Sequence, residues 1–453
     1  MIPTLGRMPF NLFTSIRLLL ACFSLLLACG CQKLFHDQDA PLKGRTVAVS
    51  MSVPDTPPPA AQPLSVAEPP ATSSPPRKPL DRKLLPSPQS TPLESTLTRT
   101  TRSAQSAPAV RKQMNDASTV LTERVVTEDL VLRGTVLVKG SLIVAPQATL
   151  RIEAGTIVRF NVDTSSTQPP RLVVQGRLVV SGTAQQPVLI GSAYQQPEPG
   201  DWGGVVLLGS EKKNSIEHCR IEGAQTGILA QHAYLSARGV QVTGALRGIE
   251  LHGSEGVLQG STVSRCDIGY RLIDSEVELR DSTVRENRIG IVARRTACAL
   301  SNVTVSANAQ EGIALEQGRY RISGSVFAGN RTGARFTDAD GQLTLCRFRE
   351  NRTHGAELMG GQVRIRNSSF SNNGGVGLVL EQLQGMMTGS ALHDNQAANL
   401  ENRGQEPFSA LLNWWGSADQ QRIAAGILVA SRQDEAPLVS FVPFLKERPA
   451  TAP

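Results

Sequence analysis

Residues 284–333 read VRENRIGIVARRTACALSNVTVSANAQEGIALEQGRYRISGSVFAGNRTG. Three columns recur inside this stretch. Val284, Val305 and Phe327 lie 21 and 22 residues apart, as do Asn287, Asn308 and Asn330, while Gly290, Gly312 and Gly333 lie 22 and 21 apart. Followed outward, the glycine column runs Gly227, Gly248, Gly269, Gly290, Gly312, Gly333, Gly355 and Gly377. The asparagine column begins with Ala224, Ala245 and Cys266 and continues as Asn287, Asn308, Asn330, Asn351, Asn373 and Asn395. Asn tolerates the left-handed backbone better than other non-glycine residues. The column therefore predicts one turn repeated in every coil, with side-chain amides bonding from one repeat to the next.

Apolar columns share the period. One runs Ile216, Ala237, Leu258, Leu279, Leu300, Ile322, Leu343, Ile365 and Met387; another runs Ile221, Val242, Val263, Val284, Val305, Phe327, Phe348, Phe370 and Leu392. Within a repeat these sites alternate with polar ones, which is the periodicity of a strand and not of a helix. A period of 21–22 residues with two or three short strands per turn describes a parallel β-helix, in which like residues stack on like. A leucine-rich repeat has a similar period, but its Leu/Asn signature is missing. The fold class expected is all-β: a single-stranded right-handed parallel β-helix of roughly thirteen coils, on the order of 60 Å long at the usual strand spacing.

Residues 120–210 carry a looser version, with strand-like runs at 135–138, 142–144, 150–152, 158–160, 172–174, 178–180 and 188–190. The runs LVLRGTVLVKGSLIVAPQATLRIEAGTIVRF (130–160, preceded by Glu128 and Asp129), RLVVQGRLVVSGT (171–183) and DWGGVVLL (201–208) resemble the opening coils of bacterial right-handed, pectate-lyase-like parallel β-helix proteins. Asn413-Trp414-Trp415-Gly416, then Ile423, Ile427 and a strand at 442–445, are similar to the segment that caps the last coil in such proteins. A cap is needed because an open coil end is a sheet edge. The resemblance covers about 120–446 and implies fold rather than activity.

Charge is uneven along the chain. The formal net charge is +7 over 453 residues; residues 41–115 hold ten Lys/Arg against four Asp/Glu, and everything after residue 115 sums to zero. A neutral folded part excludes a basic nucleic-acid-binding face. Residues 18–28 (LLLACFSLLLA) form an apolar run behind Arg7 and Arg17 that reads as a secretory signal and is too short to span a bilayer. Leu26-Leu27-Ala28-Cys29-Gly30-Cys31 resembles a bacterial lipobox, with Cys29 as the better acylation site and Cys31 as the alternative. No Asp follows either cysteine, which in that family implies the outer membrane. Fifteen of the 28 prolines lie between 41 and 115, a composition expected to stay disordered as a basic tether. The organisation expected is a signal at 1–28, a tether at 29–118, irregular coils at 119–210, regular repeats at 211–404, and a cap and tail at 405–453.

Chemistry is sparse. Six His are scattered, and no zinc-site spacing, GxSxG elbow or Cys-x-x-Cys occurs. Asp338 and Asp340 could offer oxygens to one calcium; an acidic turn between strands is the commoner explanation of such a pair. Asp274, Glu276, Glu278 and Asp281 read as a solvated face. Outward positions beside the first apolar column supply Arg220, Arg238, Arg280, Arg347 and Arg366 in a strip rich in Ser and Thr. Such a strip could hold an anionic polymer bidentately, but it has no aromatic residue to stack on sugars. Cys219 and Cys346 occupy one column six coils apart, about 29 Å, too far for a disulfide. Four free thiols are expected, with Cys219 and Cys346 as small buried core residues. The functional expectation is an outer-membrane-anchored, non-catalytic binding or scaffolding module for polysaccharide or an envelope protein. The alternatives are a lyase, hydrolase or epimerase acting on an acidic glycan, and a purely structural spacer. A groove with three or more carboxylates plus basic groups from adjacent coils would mark the enzyme.

Overall fold

The structure is a computed structural model. It describes residues 111–452, apart from 115, 163–165, 431–436 and 451. Cys29, Cys31, the signal-like run and nearly all of the Pro-rich segment lie outside the described residues. The chain divides into two units, 1–100 and 101–453, and every described residue belongs to the second.

Each regular coil contributes three strands, such as Tyr234–Arg238, Gln241–Thr243 and Arg247–His252. Each pairs in parallel with its equivalent one coil on: Ala237 with Leu258, Val242 with Val263, Ile249 with Tyr270. Among the described residues the first strands form a sheet of 14, and the second and third strands form a sheet of 25. The two ladders of the larger sheet join where Thr119–Val126 and Thr135–Val144 run through a corner unbroken. This is the winding the columns predict, with the same register. Phe327, Phe348 and Phe370 stack with centroids 4.9 and 4.8 Å apart and planes within 5°. One continuous apolar core fills the solenoid from Val126 to Val439.

The corners differ from the sequence expectation in one respect. Each asparagine does mark a turn, but the left-handed residue is its predecessor: Glu286 (φ 57°), Ala307 (φ 54°), Gly329 (φ 66°), Glu350 (φ 56°), Asn372 (φ 55°) and Asp394 (φ 56°). Asn287, Asn308, Asn330, Asn351 and Asn373 instead point inward and are buried. The reason is the corner's unpaired backbone, since a bent chain cannot keep its N–H groups in the sheet ladder. Asn330 Oδ1 accepts from both the backbone N–H (3.0 Å) and Nδ2 (2.9 Å) of Asn308, and Asn330 Nδ2 donates to Val305 O (3.0 Å) and Asn351 Oδ1 (3.2 Å). The same pattern continues through Asn351, Asn373 and Asn395.

The glycine column has a different cause. A Cβ on Gly312 would lie 2.5 Å from the Gly333 carbonyl oxygen and 2.9 Å from Asn330 Nδ2. Glycine stands there because neighbouring backbones and the amide ladder approach too closely for a side chain.

At the N-terminal end, residues 111–114 already dock on the coils. The Arg111 guanidinium binds Asp201 (2.6 and 2.7 Å) and lies 4.0 Å above the Tyr194 ring, while Met114 N donates to Ala193 O. The ordered body thus includes a few residues assigned by composition to the tether. At the other end Ile427–Val429 pairs with Leu400–Asn402, and Phe408–Ser409 pairs with Val439–Ser440. The helix Gln420–Ala425, N-capped by Asp419, buries Ile423. The closing strand is therefore Val439–Ser440 and not 442–445, where Pro443 offers no N–H. Trp202 and Trp415 are buried near the ends, Trp202 stacked on Phe160 at 4.8 Å. Cys219, Cys266, Cys298 and Cys346 are free and buried; burial pushes the Cys266 thiol up to about 11 and the Cys298 and Cys346 thiols up to about 12.

Candidate ligand groove

Alternate residues of each first strand face outward. Three outward columns therefore run along the 14-stranded sheet. The first is Tyr234, Glu255, Glu276, Ala297, Arg319, Asp340, Gln362 and Gln384. The second is Ser236, Val257, Glu278, Ala299, Arg321, Gln342, Arg364 and Met386. The third, beside the corner, is Arg238, Gln259, Arg280, Ser301, Ser323, Thr344, Arg366 and Thr388. A hollow of about 700 Å³ lies over Tyr234 to Gln342. A second, of about 500 Å³, shares Asp340, Gly341 and Gln342 with it and continues to Met386. Together they form one groove across eight strands, seven spacings or about 34 Å. Its middle is low because Ala297 and Ala299 are short. Gly341, on the inward side of the same sheet, is required by crowding: its Cβ would meet Tyr320 O at 2.1 Å.

The groove has two electrical halves. Glu255 and Glu276 sit opposite each other on adjacent strands and make no ion pair. Their like charges oppose each other. Glu278 is held by Arg280, whose Nε donates at 2.8 Å. Two spacings from Glu276 stand Arg319 and Arg321, and two further on Arg364 and Arg366; all four are exposed and make no ion pair. Between them Asp340 is fixed by the Gln362 N–H, which donates to Oδ1 at 2.8 Å.

The strip drawn from the sequence does not stay flat. Arg238, Arg280 and Arg366 stand in the outward column beside the corner, outside the residues that line the two hollows, and Arg220 and Arg347 belong to second strands, beyond the corner. Arg220 lies 3.9 Å from Glu222. Asp338 sits at the next corner (φ 49°). Among the described residues no group of three or more His, Cys, Asp or Glu could hold a metal ion. Asp274 is bound by Arg295 at 2.6 and 2.7 Å, which lowers its pKa through that hydrogen bond.

Arg319, Arg321 and Arg364 escaped the sequence reading because only the two outward columns flanking the corner, one on the first strands and one on the second, were followed. The same 21–22 residue period, applied to the other two outward columns, finds them. A buried carboxylate on the third-strand face was missed as well. Glu250, 4% exposed, is surrounded by His252 Nε2 (2.7 Å), Arg247 (3.6 Å) and Arg271, and is fully engaged by them.

The fold and its outer groove define the class: this chain is a right-handed parallel β-helix protein. A family model described as pectate-lyase-like beta helix domain matches residues 124–237, and one described as right-handed beta helix region matches 274–408. No curated protein matches the chain. Solved structures similar to it include the A-module of the Azotobacter vinelandii mannuronan C-5 epimerase AlgE6, at 12% identity over 70% of this chain and 91% of that one, TM-score 0.44. The periplasmic alginate epimerase AlgG matches at 13% identity over 67% and 78%, TM-score 0.40. The Vag8–C1 inhibitor complex matches at 14% over 72% and 90%, TM-score 0.40. At this level of identity nothing of their chemistry transfers to this chain.

Proposed function

We propose that this protein is an envelope lipoprotein whose β-helix is a non-catalytic binding module for an acidic polysaccharide. The observation that carries the reading is the continuous groove lined by three exposed, unpaired arginines, Arg319, Arg321 and Arg364, with Arg366 beside it in the column next to the corner. Arginine presents a planar fork that fits carboxylate, sulfate or phosphate bidentately. The anchor rests on the lipobox-like 26–31 and the basic Pro-rich stretch behind it, which suit acylation at Cys29 and a tether lying against anionic head groups.

Four groove carboxylates, Glu255, Glu276, Glu278 and Asp340, favour a second reading, an enzyme on the same glycan; three or more with basic groups from adjacent coils is the pattern expected of one. Geometry argues for binding. A general base must reach the atom it deprotonates within hydrogen-bond distance. Here Glu276 and Glu278 stand two strand spacings from Arg319 and Arg321, about 10 Å, and Glu255 three, across a strand whose outward residues are Ala297, Ala299 and Ser301; Asp340, one spacing from Arg319, already accepts the Gln362 N–H. A glycan array, run with and without calcium and followed by product analysis, tests the assignment. Retention of acidic glycans without turnover is expected, and turnover of any glycan overturns the non-catalytic reading. A fatty-acid label retained by the native chain and lost in Cys29→Ser supports the anchor. Retention in that variant moves the anchor to Cys31, and absence of label in the native chain removes it.

A further inference from the structure

The groove's charges follow the strand lattice, and this bears on which acidic polysaccharide fits. An extended β-linked pyranose chain advances by close to one sheet spacing per sugar. A chain lying along the groove therefore presents about one sugar to each strand. Arg319 and Arg321 project from one strand. Arg364 and Arg366 project from a strand two further on. The intervening strand Asp340–Thr344 offers Asp340, Gln342 and Thr344, an anion and two neutral groups. On the other side of Arg319 the next strand shows Ala297, Ala299 and Ser301, again without a cation. Beyond Arg366 the strand Gln384–Thr388 is neutral as well. In this half of the groove the cations therefore stand on two strands with one between them, and that intervening strand carries a fixed carboxylate; two strands before Arg319 the acidic half begins with Glu276 and Glu278.

The geometry points to a polysaccharide with a disaccharide repeat, acidic on alternate sugars and neutral between. This inference rests on the binding reading above and narrows it. The Arg319/Arg321 and Arg364/Arg366 pairs each clasp one acidic sugar. The sugar between faces Gln342, which donates and accepts hydrogen bonds to hydroxyl or acetamido groups. Asp340 acts against the competitor: a uronate on that middle sugar would place a second carboxylate beside it, and like charges brought together in a binding site discriminate between ligands.

The test uses the full chain in detergent and size-matched oligosaccharides in calorimetric titration. The probes are hyaluronan oligomers (uronate alternating with N-acetylhexosamine), β-1,4-linked oligoglucuronate (a uronate on every sugar) and a neutral cello-oligosaccharide. The alternating probe should bind about tenfold tighter than the homopolymer, and the neutral one more weakly than either. Arg321→Gln and Arg364→Gln should each weaken the alternating probe about tenfold. Gln342→Arg and Asp340→Asn should each strengthen the homopolymer and narrow the gap. All four positions face outward, and unchanged circular dichroism confirms that the variants fold. Homopolymer binding as tight as, or tighter than, the alternating probe overturns the alternation while leaving the acidic-polysaccharide reading standing. If no acidic probe binds, or the neutral probe binds equally well, both fall. Insensitivity of alternating-probe binding to Arg321→Gln and Arg364→Gln removes the groove as the site.

Discussion

Replacing Asn330 with alanine should unzip the amide ladder at its centre. In the native fold Asn330 Oδ1 accepts two donors of Asn308, its backbone N–H and Nδ2, both in the interior. Alanine leaves both without that acceptor. A buried donor left without a partner costs about 1–3 kcal/mol, so two cost about 4 kcal/mol. Part of this is returned because Asn308 Nδ2 keeps a weaker bond to Val284 O at 3.4 Å. The expected loss is therefore about 3–4 kcal/mol by urea unfolding. In a solenoid each coil touches only its neighbours, so the damage should be local. Hydrogen exchange should accelerate in the coils containing Asn308, Asn330 and Asn351 and stay native near Val242 and Trp415. A loss below about 1 kcal/mol, or protection lost evenly along the chain, refutes the ladder as a stabilising device.

Tyr270 points the other way: its hydroxyl is buried without a partner, so Tyr270→Phe should raise stability by about 1 kcal/mol, measured by the same urea transitions. Stability should also depend on pH through Asp267 and Asp274, whose folded pKa values are lowered by hydrogen bonds from Arg288 and Arg295. Carboxyls depressed on folding contribute above their unfolded pKa, about 3.9. Their contribution is lost as pH falls through the folded values, so a urea midpoint followed from pH 6 to pH 2 should be flat and then drop, less steeply in Arg288→Gln and Arg295→Gln. Alkylation at pH 8 mapped by mass spectrometry should leave Cys219, Cys266, Cys298 and Cys346 unmodified in the native protein and label all four in denaturant, because buried thiols with raised pKa form almost no thiolate.

The winding and its register were legible because the core is one-dimensional. A residue such as Phe348 must match the one above and the one below, so the period is written into every inward column. The left-handed corners were half legible. Gly329, Asn372 and Asp394 are types that tolerate such a backbone, but Glu286, Ala307 and Glu350 carry no composition signal for it, because the amide of the next residue stabilises the bend from inside. The docking of Arg111 was hidden by its Pro-rich, basic neighbourhood; ion pairs to Asp201 and Glu198 and one stacking contact on Tyr194 leave no periodic trace. The groove was half legible. Arg238, Arg280 and Arg366 were found in the column beside the corner, whereas Arg364 lies one outward position from Arg366, and Arg319 and Arg321 lie on a strand that puts Ser323 in that column.

All of this depends on the lattice of strands. Spin labels at Arg238→Cys and Arg366→Cys, both exposed and in one column six strand spacings apart, measure it directly by double electron–electron resonance. The winding predicts a narrow distribution centred about 29 Å, broadened only by the label arms. A mean well beyond 40 Å, or a broad distribution without a maximum, would contradict the winding and, with it, the groove.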